Sequence, residues 1–541
     1  MFEHAPAPTV VEGLLAVPVH VLGLRARVVL DAHAGAGRVQ ALLRYRVGPT
    51  SGCPVFDLRQ PVDRVRLDGR ALAPEHVRPR SVGAEPYATV RVLDLPQATG
   101  STHTLGLGYR LARPASDLGG AYPPVLSVRG RRRLRWSFGM GDLFDGRHLE
   151  MWLPSNLPFD RFPVELEVVL DGVGTPHTLI TNGAMTATGP SSWDVAFPAW
   201  FSSVSAMLEL WPTDELEHLR RPAPLRGSGR TVPVDLWKVR GRPEDLAHEG
   251  TRVARLLEAG ETTFGPFPLD RYTCFFHDRE GGMEYAGATT TSSGALAHEV
   301  LHSWFARGVM PASDADGWWD EAVTTYLTRR AAAAPLDFRR APVELCSRRP
   351  FQRHTALAAY AEGSRLFSGL EALVGRPALL RAMRSFYLTY RRSCVSTATL
   401  EEHLVVETGA TSVVDAFHRF VYGFEDPRGP GAVRLDEVAV GVEPDGRRWV
   451  TVRVRNDHAA EACAHFLVLL SSAGLVRLAA VAGFDLRPGC SRVLRVRLPP
   501  GPGPAGTRGE GLDVVGTVHV RRPVGSSPDR VPRTPVRAGR G

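Results

Sequence analysis

At 541 residues, with 43% hydrophobic and 23% charged side chains, the chain is long enough for several folded domains and is not of disordered or collagen-like composition. Its formal charge of +8 is not distributed as a nucleic-acid surface requires, because residues 521–541 carry six Arg and one Asp, +5 of the total; no nucleic-acid partner is expected. The six cysteines stand far apart without a CxxC pair, so free thiols are expected rather than a disulfide framework.

The first residues, MFEHAPAPTVVEGLLAVPVHVLGLRARVV, show no basic stretch followed by an apolar one, so no export signal is read and a cytoplasmic location is expected. From about residue 15 to 212, short runs such as RARVVLDA, ATVRVLDL, VELEVVL and HTLITNG lie between turn signals, which predicts a mostly antiparallel β domain. Within it the basic run Arg129–Arg135 reads as a solvated turn, and His103, His177 and, further along, His354 as isolated histidines rather than ligands. Residues 220–229 (RRPAPLRGSG) carry no apolar period and predict a surface connection near a domain boundary.

Residues 244–259 place Leu246, Val253 and Leu257 on one side of a helix, and YTCFF at 272–276 reads as a strand. Helices are expected over 295–306, 318–334 and most of 354–421. From about residue 432 the period shortens again (RWVTVRVRN, HFLVLLS, SRVLRVRL), predicting a terminal β-sandwich. The stretch Phe466–Phe484 is apolar enough to suggest a membrane span, but Arg477 and the break at Ser471–Gly474 favour two strands and a turn, and no membrane partner is expected. The tail after about 522 has too little apolar surface to offset its ordering entropy and is expected to be disordered.

Chemistry concentrates in the middle of the chain. Residues 298–302 read HEVLH; on a helix His298 and His302, four apart, project from one face and can bind one metal ion together. Glu299 lies about 100° further round, too far to share that position but able to reach a metal-bound water. The segment WWDEAVTTYLTRR supplies Glu321, with eighteen residues between it and His302. Two imidazoles and one carboxylate leave the fourth tetrahedral position of zinc open, which is the mark of a catalytic site. Upstream, GGMEY (281–285) follows the YTCFF strand: Gly281 and Gly282 would let a substrate backbone approach, and Glu284 could receive a cation such as a peptide's terminal ammonium.

GGMEY, then HEVLHSWF, then WWDEA at this spacing resembles the aminopeptidase-N family of gluzincin zinc peptidases, and the likeness extends over roughly residues 15–425 through LEMWLPSNLPFDRFPVELEVVL, LITNG and TTFGPFPLDRYTCFF. The resemblance implies an N-terminal antiparallel β domain over 1–215 and a thermolysin-like α/β zinc peptidase domain over 216–428; with the C-terminal β-sandwich-like domain over 429–521 and the basic tail over 522–541 read from the pattern above, a multidomain α+β fold is expected. The resemblance also implies one Zn2+ per chain on His298, His302 and Glu321, and a terminal amine held by the segment Gly281, Gly282, Met283 and Glu284. By the same resemblance Glu299 acts as base, and Tyr360, in the YAEG match to a YxKG motif, donates to the oxyanion. Three departures stand out: Tyr285 where many members have Asn, Glu362 for the Lys of YxKG, and Ala322 for the usual Gly. The expected activity is hydrolysis of the N-terminal bond of peptides with a free amino terminus, by a chain for which a monomer is favoured. The competing readings are another substrate at the same zinc site, as in an epoxide hydrolase, and a silent peptide-binding scaffold.

Overall fold

Strand formation in the first half follows from a period of two. Along Ala36–Val47 the residues Val39, Ala41, Leu43, Tyr45 and Val47 are buried while Arg38, Gln40, Leu42 and Arg44 are exposed, so one face of the strand packs and the other meets water. The computed structural model describes residues 2, 4–82, 89–111, 126–140, 148–157, 159–277, 281–313, 315–329, 333–346, 351, 355–410, 412–423, 433–442, 448–456, 462–472, 475–486, 490–497, 511–520 and 535–537. It divides into two units, one of Met1–Arg329, Ser347–Tyr360 and Tyr387–Val395, the other of Arg330–Cys346, Ala361–Phe386 and Ser396–Gly541.

In the first unit, Ala36–Val47 pairs antiparallel with both Val19–Asp31 and Thr102–Leu111 at the centre of an eight-stranded sheet. Its one parallel pair joins Val19–Asp31 to Val164–Asp171. Trp136 and Trp152 meet edge to face in the core beneath, at 5.8 Å between ring centroids. Trp152 satisfies its polar tip by donating from Nε1 to the Phe138 carbonyl at 2.9 Å, and the Tyr109 hydroxyl donates to the Trp152 carbonyl at 2.6 Å, while Trp136 Nε1 is buried without a hydrogen-bond partner. The basic run forms a hairpin, in which Arg133 pairs with Asp214 and Glu215 and Arg135 with Glu215, so acidic side chains of the same unit take up its charge. His103 contacts Asp68 at 2.7 Å, and His177 accepts from the Leu134 amide at 3.1 Å; neither joins a metal cluster. His354 lies outside the described residues.

The stretch expected to be a surface connection is instead a hairpin. Leu216–Leu225 pairs with Arg230–Val239 along its whole length, with the turn at 226–229. Pro222 and Pro224 are tolerated because this strand is the outer edge of its sheet, where a missing N–H breaks no ladder. From the edge inward the order is Leu216–Leu225, Arg230–Val239, Tyr272–Phe276, Ala288–Thr291 and Gly282–Tyr285. The three inner strands run parallel and Tyr272–Phe276 is buried at all five positions, as a strand covered on both faces must be. The crossover before it is the helix Leu246–Phe264, started by the Asp245 side chain accepting from the Ala247 amide at 2.9 Å and ended at Gly265.

The helix carrying HEVLH is shorter than the sequence suggests, Leu296–Leu301 rather than 295–306. Beyond it the chain folds back on itself: the Arg307 amide donates to the His302 carbonyl and the Val309 amide to that of Trp304, with Ala306 at a φ of 122°. The next helix runs Trp318–Arg329, ending before the expected 334, and is buried on every side over Trp318–Tyr326.

The second unit contains the helices Ser364–Val374, Thr397–Thr408 and Ser412–Phe420 and two sheets. Val433–Val442, Arg448–Asn456 and Ser491–Arg497 form one sheet; Leu475–Leu486, Ala462–Ser472, Gly511–Val520 and Pro535–Arg537 form the other. The apolar stretch Phe466–Phe484 is thus an antiparallel strand pair, and among the described residues no helix is long and apolar enough to cross a membrane. Of the tail expected to be disordered, Pro535–Arg537 pairs with Asp513–Val515 and the rest lies outside the described residues. Cys53, Cys274, Cys394 and Cys490 are free thiols, while Cys463 lies outside the residues whose side chains are described.

Candidate metal centre

Three side chains from two helices converge in the first unit. His298 and His302, one helical turn apart, turn their Nε2 atoms to each other at 3.0 Å, and Glu321 from Trp318–Arg329 brings Oε2 to 2.9 Å from His298 Nε2 and 3.6 Å from His302 Nε2. Ligands at zinc distances of about 2.0–2.2 Å in a tetrahedron lie roughly 3.3 Å apart, so the triangle has the size of one face of such a site. Among the described residues this is the one group of three or more His, Cys, Asp or Glu with ligand atoms so gathered.

Surrounding contacts decide which atoms face inward. His302 is fully buried, and its Nδ1 lies 3.0 Å from the Phe305 carbonyl, to which it donates; this orients the ring and turns Nε2 toward Glu321. Burial opposes a charge on His302, but the carboxylates of Glu284 and Glu321 outweigh it and hold the ring's pKa well above the ordinary value. Burial likewise works against ionised Glu321, yet His302 and His298 hold its carboxyl well below the usual range. His298 is the more open ligand, and the half-buried ring of Tyr360 stacks beside it at 6.2 Å between centroids and 23° between planes. Tyr360 belongs to a π-helical turn, Ala359–Gly363, a distortion frequent at functional sites.

Glu299 is buried beside this triangle, and its Oε2 has no hydrogen-bond partner. Burial, followed by the nearby charge of Glu284, pushes its carboxyl well above the usual carboxylate range. Gly282 explains how it fits there. A Cβ at Gly282 would stand 2.5 Å from Glu299 Oε1, so this glycine makes room for the carboxylate. Gly281 has a φ of 88°, the left-handed region that glycine enters at least cost, and its carbonyl accepts from the Ser292 amide at 2.8 Å just ahead of the HEVLH helix.

Gly282–Tyr285 is the inner edge strand, and its alternation sorts the rest of the motif. Met283 and Tyr285 point into the main apolar core. Glu284, buried on the opposite face, meets Arg307, whose Nη2 donates to its Oε1 at 2.9 Å. Tyr285, which departs from the family pattern, is therefore a core residue here. Glu362, the other polar departure, is held by Arg340 and Arg365, which lower its carboxyl pKa; Ala322 is fully buried in its helix.

Sequence reasoning did not single out Arg307 or Asp320. Arg307 is a lone cation inside the buried run Trp304–Met310, and a charge in such a run must find a partner; that was the available signal. Asp320, next to Glu321, is buried with Oδ1 unpartnered.

No protein-family profile matches the chain. Its fold does match solved structures. An M1 zinc metallopeptidase from Deinococcus radiodurans superposes with a TM-score of 0.56 at 21% identity, covering 74% of this chain and 94% of that one. Legionella pneumophila aminopeptidase A in complex with aspartic acid gives 0.57 at 14% identity, covering 88% and 57%. Yeast LTA4 hydrolase in complex with bestatin gives 0.54 at 14%, covering 75% and 68%. The chain has the mixed α and β, multidomain fold of the M1 zinc peptidases.

Proposed function

We propose that the chain is a zinc aminopeptidase, holding one Zn2+ through His298, His302 and Glu321 and hydrolysing the N-terminal bond of peptides. The observation that carries this reading is the meeting of those three ligand atoms beside the unpaired, buried carboxylate of Glu299. The donor set suits the ion: two imidazole nitrogens and one carboxylate oxygen, with Nδ1 of His302 already engaged by a carbonyl. Charge supports it as well. Glu284, Glu299, Asp320 and Glu321 crowd four buried carboxyl groups around the guanidinium of Arg307, and burial with mutual repulsion pushes those of Glu299 and Asp320 well above the usual carboxylate range, a repulsion that a bound divalent ion would relieve. The domain arrangement we favour is a β domain over 1–215, a peptidase domain over 216–428 and a β-sandwich over 429–521.

Bound zinc supplies Lewis-acid polarisation of the scissile carbonyl and acidifies a water. Glu299 would take the proton of the attacking water at its unpaired Oε2 and pass it to the leaving amine. Tyr360, flanking His298 on the open side, donates to the developing oxyanion. Glu284 receives the substrate's ammonium; Met283, its side chain in the core, can contribute only backbone groups there. Two further M1 zinc metallopeptidase structures of this fold hold L-tryptophan and a Tyr-Ser-Ala substrate. A silent binding scaffold would have no need of an unpaired carboxylate at position 299, and no feature of the site favours an epoxide over a peptide.

The test is a panel of aminoacyl-fluorophore substrates and their N-acetylated counterparts, with and without a chelator, on the unmodified protein and Glu299→Gln. Turnover confined to free amines, abolished by the chelator, and reduced by orders of magnitude in Glu299→Gln with zinc retained is the expected result. Efficient cleavage of acetylated substrates, or full activity of Glu299→Gln, rejects the assignment.

A further inference from the structure

Arg307 is only 4% exposed, and a guanidinium so placed is tolerated only when its donors are engaged. Its Nη2 donates to Glu284 Oε1 at 2.9 Å, its Nε to the Glu284 backbone carbonyl at 3.3 Å, and its Nη1 to the Ala306 carbonyl at 3.2 Å. Its own amide donates to the His302 carbonyl at 3.0 Å. One residue thus ties the turn that closes the HEVLH helix to both the main chain and the side chain of the strand residue facing it. A small cavity adjoins the pair, lined among others by Glu284, Arg307 and Asp320, and Oδ1 of Asp320 has no hydrogen-bond partner.

We propose that Arg307 is the positioning residue of the terminal-amine site: by occupying Oε1 of Glu284 it fixes the rotamer of that carboxylate and leaves Oε2 as the acceptor for the substrate's ammonium. The proposal rests on the aminopeptidase reading above and goes beyond it, because it makes selection for a free amino terminus depend on a cation placed beside the acceptor. An unsupported carboxylate would offer the ammonium either oxygen in several rotamers; held by Arg307, it offers one. Arg307 then acts on substrate binding far more than on the chemical step, since its side-chain hydrogen bonds run to Glu284 and Ala306 rather than to the three ligand atoms.

The experiment is a double-mutant cycle on the zinc-loaded enzyme with Arg307→Met, Glu284→Gln and the pair, measuring kcat and KM for an aminoacyl fluorophore and zinc per chain by mass spectrometry. Binding of an amino-acid amide to the same variants in a Glu299→Gln background, followed by calorimetry, gives a readout without turnover. Arg307→Met should raise KM, and weaken the amide, roughly tenfold to a hundredfold, the range of a charge-assisted hydrogen bond. Zinc should be kept and kcat should change by only about threefold. In the Glu284→Gln background the same substitution should have almost no further effect. Arg307→Lys, which keeps the charge but not the fork of donors, should recover part of the affinity and serves alone if Arg307→Met does not fold. Additive effects across the cycle, or a loss of kcat that tracks a loss of zinc, overturn the proposal and leave the aminopeptidase reading standing. Absence of turnover by the unmodified zinc enzyme on every free-amine substrate overturns that reading itself.

Discussion

Replacing Gly282 with Ala adds one methyl group and no charge, yet a Cβ at that position would stand 2.5 Å from Oε1 of Glu299 and 2.6 Å from its Cγ and Cδ. Ordinary contact begins at 3.4 Å, so the carboxylate must withdraw by about 0.9 Å or the edge strand must shift by as much. Backbone preference adds nothing to this, since Gly282 is not among the residues with positive φ. A misplacement of ~1 Å in a reacting group costs on the order of a hundredfold in rate, equivalent to ~2.7 kcal/mol of barrier. Gly282→Ala should therefore lower kcat roughly a hundredfold, with zinc content unchanged and the melting temperature within a few degrees of the parent. Steady-state kinetics on an aminoacyl fluorophore, paired with metal analysis and a thermal melt, measures all three. A variant with the parent's kcat would contradict the claim that Glu299 is the base and that this strand sets its position.

Tyr360→Phe removes the hydroxyl of a ring stacked beside His298 and should lower kcat by about a hundredfold with little change in KM, the cost of losing one oxyanion donor; an unchanged kcat would place that donor elsewhere. In the second unit, burial pushes the Glu401 carboxyl up to about 8, although the Tyr422 hydroxyl, donating at 2.9 Å, works the other way. A folded-state pKa above the unfolded value of ~4.3 means that the stability Glu401 contributes is fully present below that value and is lost as pH rises toward 8, by up to about 5 kcal/mol. Glu401→Gln should accordingly melt close to the parent at pH 5 and above it at pH 8; equal melting temperatures at both would remove Glu401 as the cause.

The meeting of His298 with His302 was legible in the sequence because spacing carries it: a four-residue interval fixes two imidazoles on one helical face wherever the helix ends, and so the early stop at Leu301 did no harm. The hairpin at 216–239 was not, because two prolines and a run of arginines hide a strand whose alternation only an outer edge position permits. The nearness of Gly282 to Glu299 was hidden for a related reason. Glycine announces that something comes close, and only coordinates show that the neighbour is Glu299. Arg307 went unnoticed because its partner, Glu284, lies twenty-three residues earlier on a different element, a pairing that no local period encodes.

The account depends most directly on whether His298, His302 and Glu321 hold one divalent ion. Inductively coupled plasma mass spectrometry on the purified protein and on Glu321→Ala, each checked for folding by circular dichroism, measures this. One zinc per chain in the parent, and far less in the folded variant, is the predicted result. A folded, peptide-cleaving parent without stoichiometric metal, or undiminished zinc in Glu321→Ala, would contradict it.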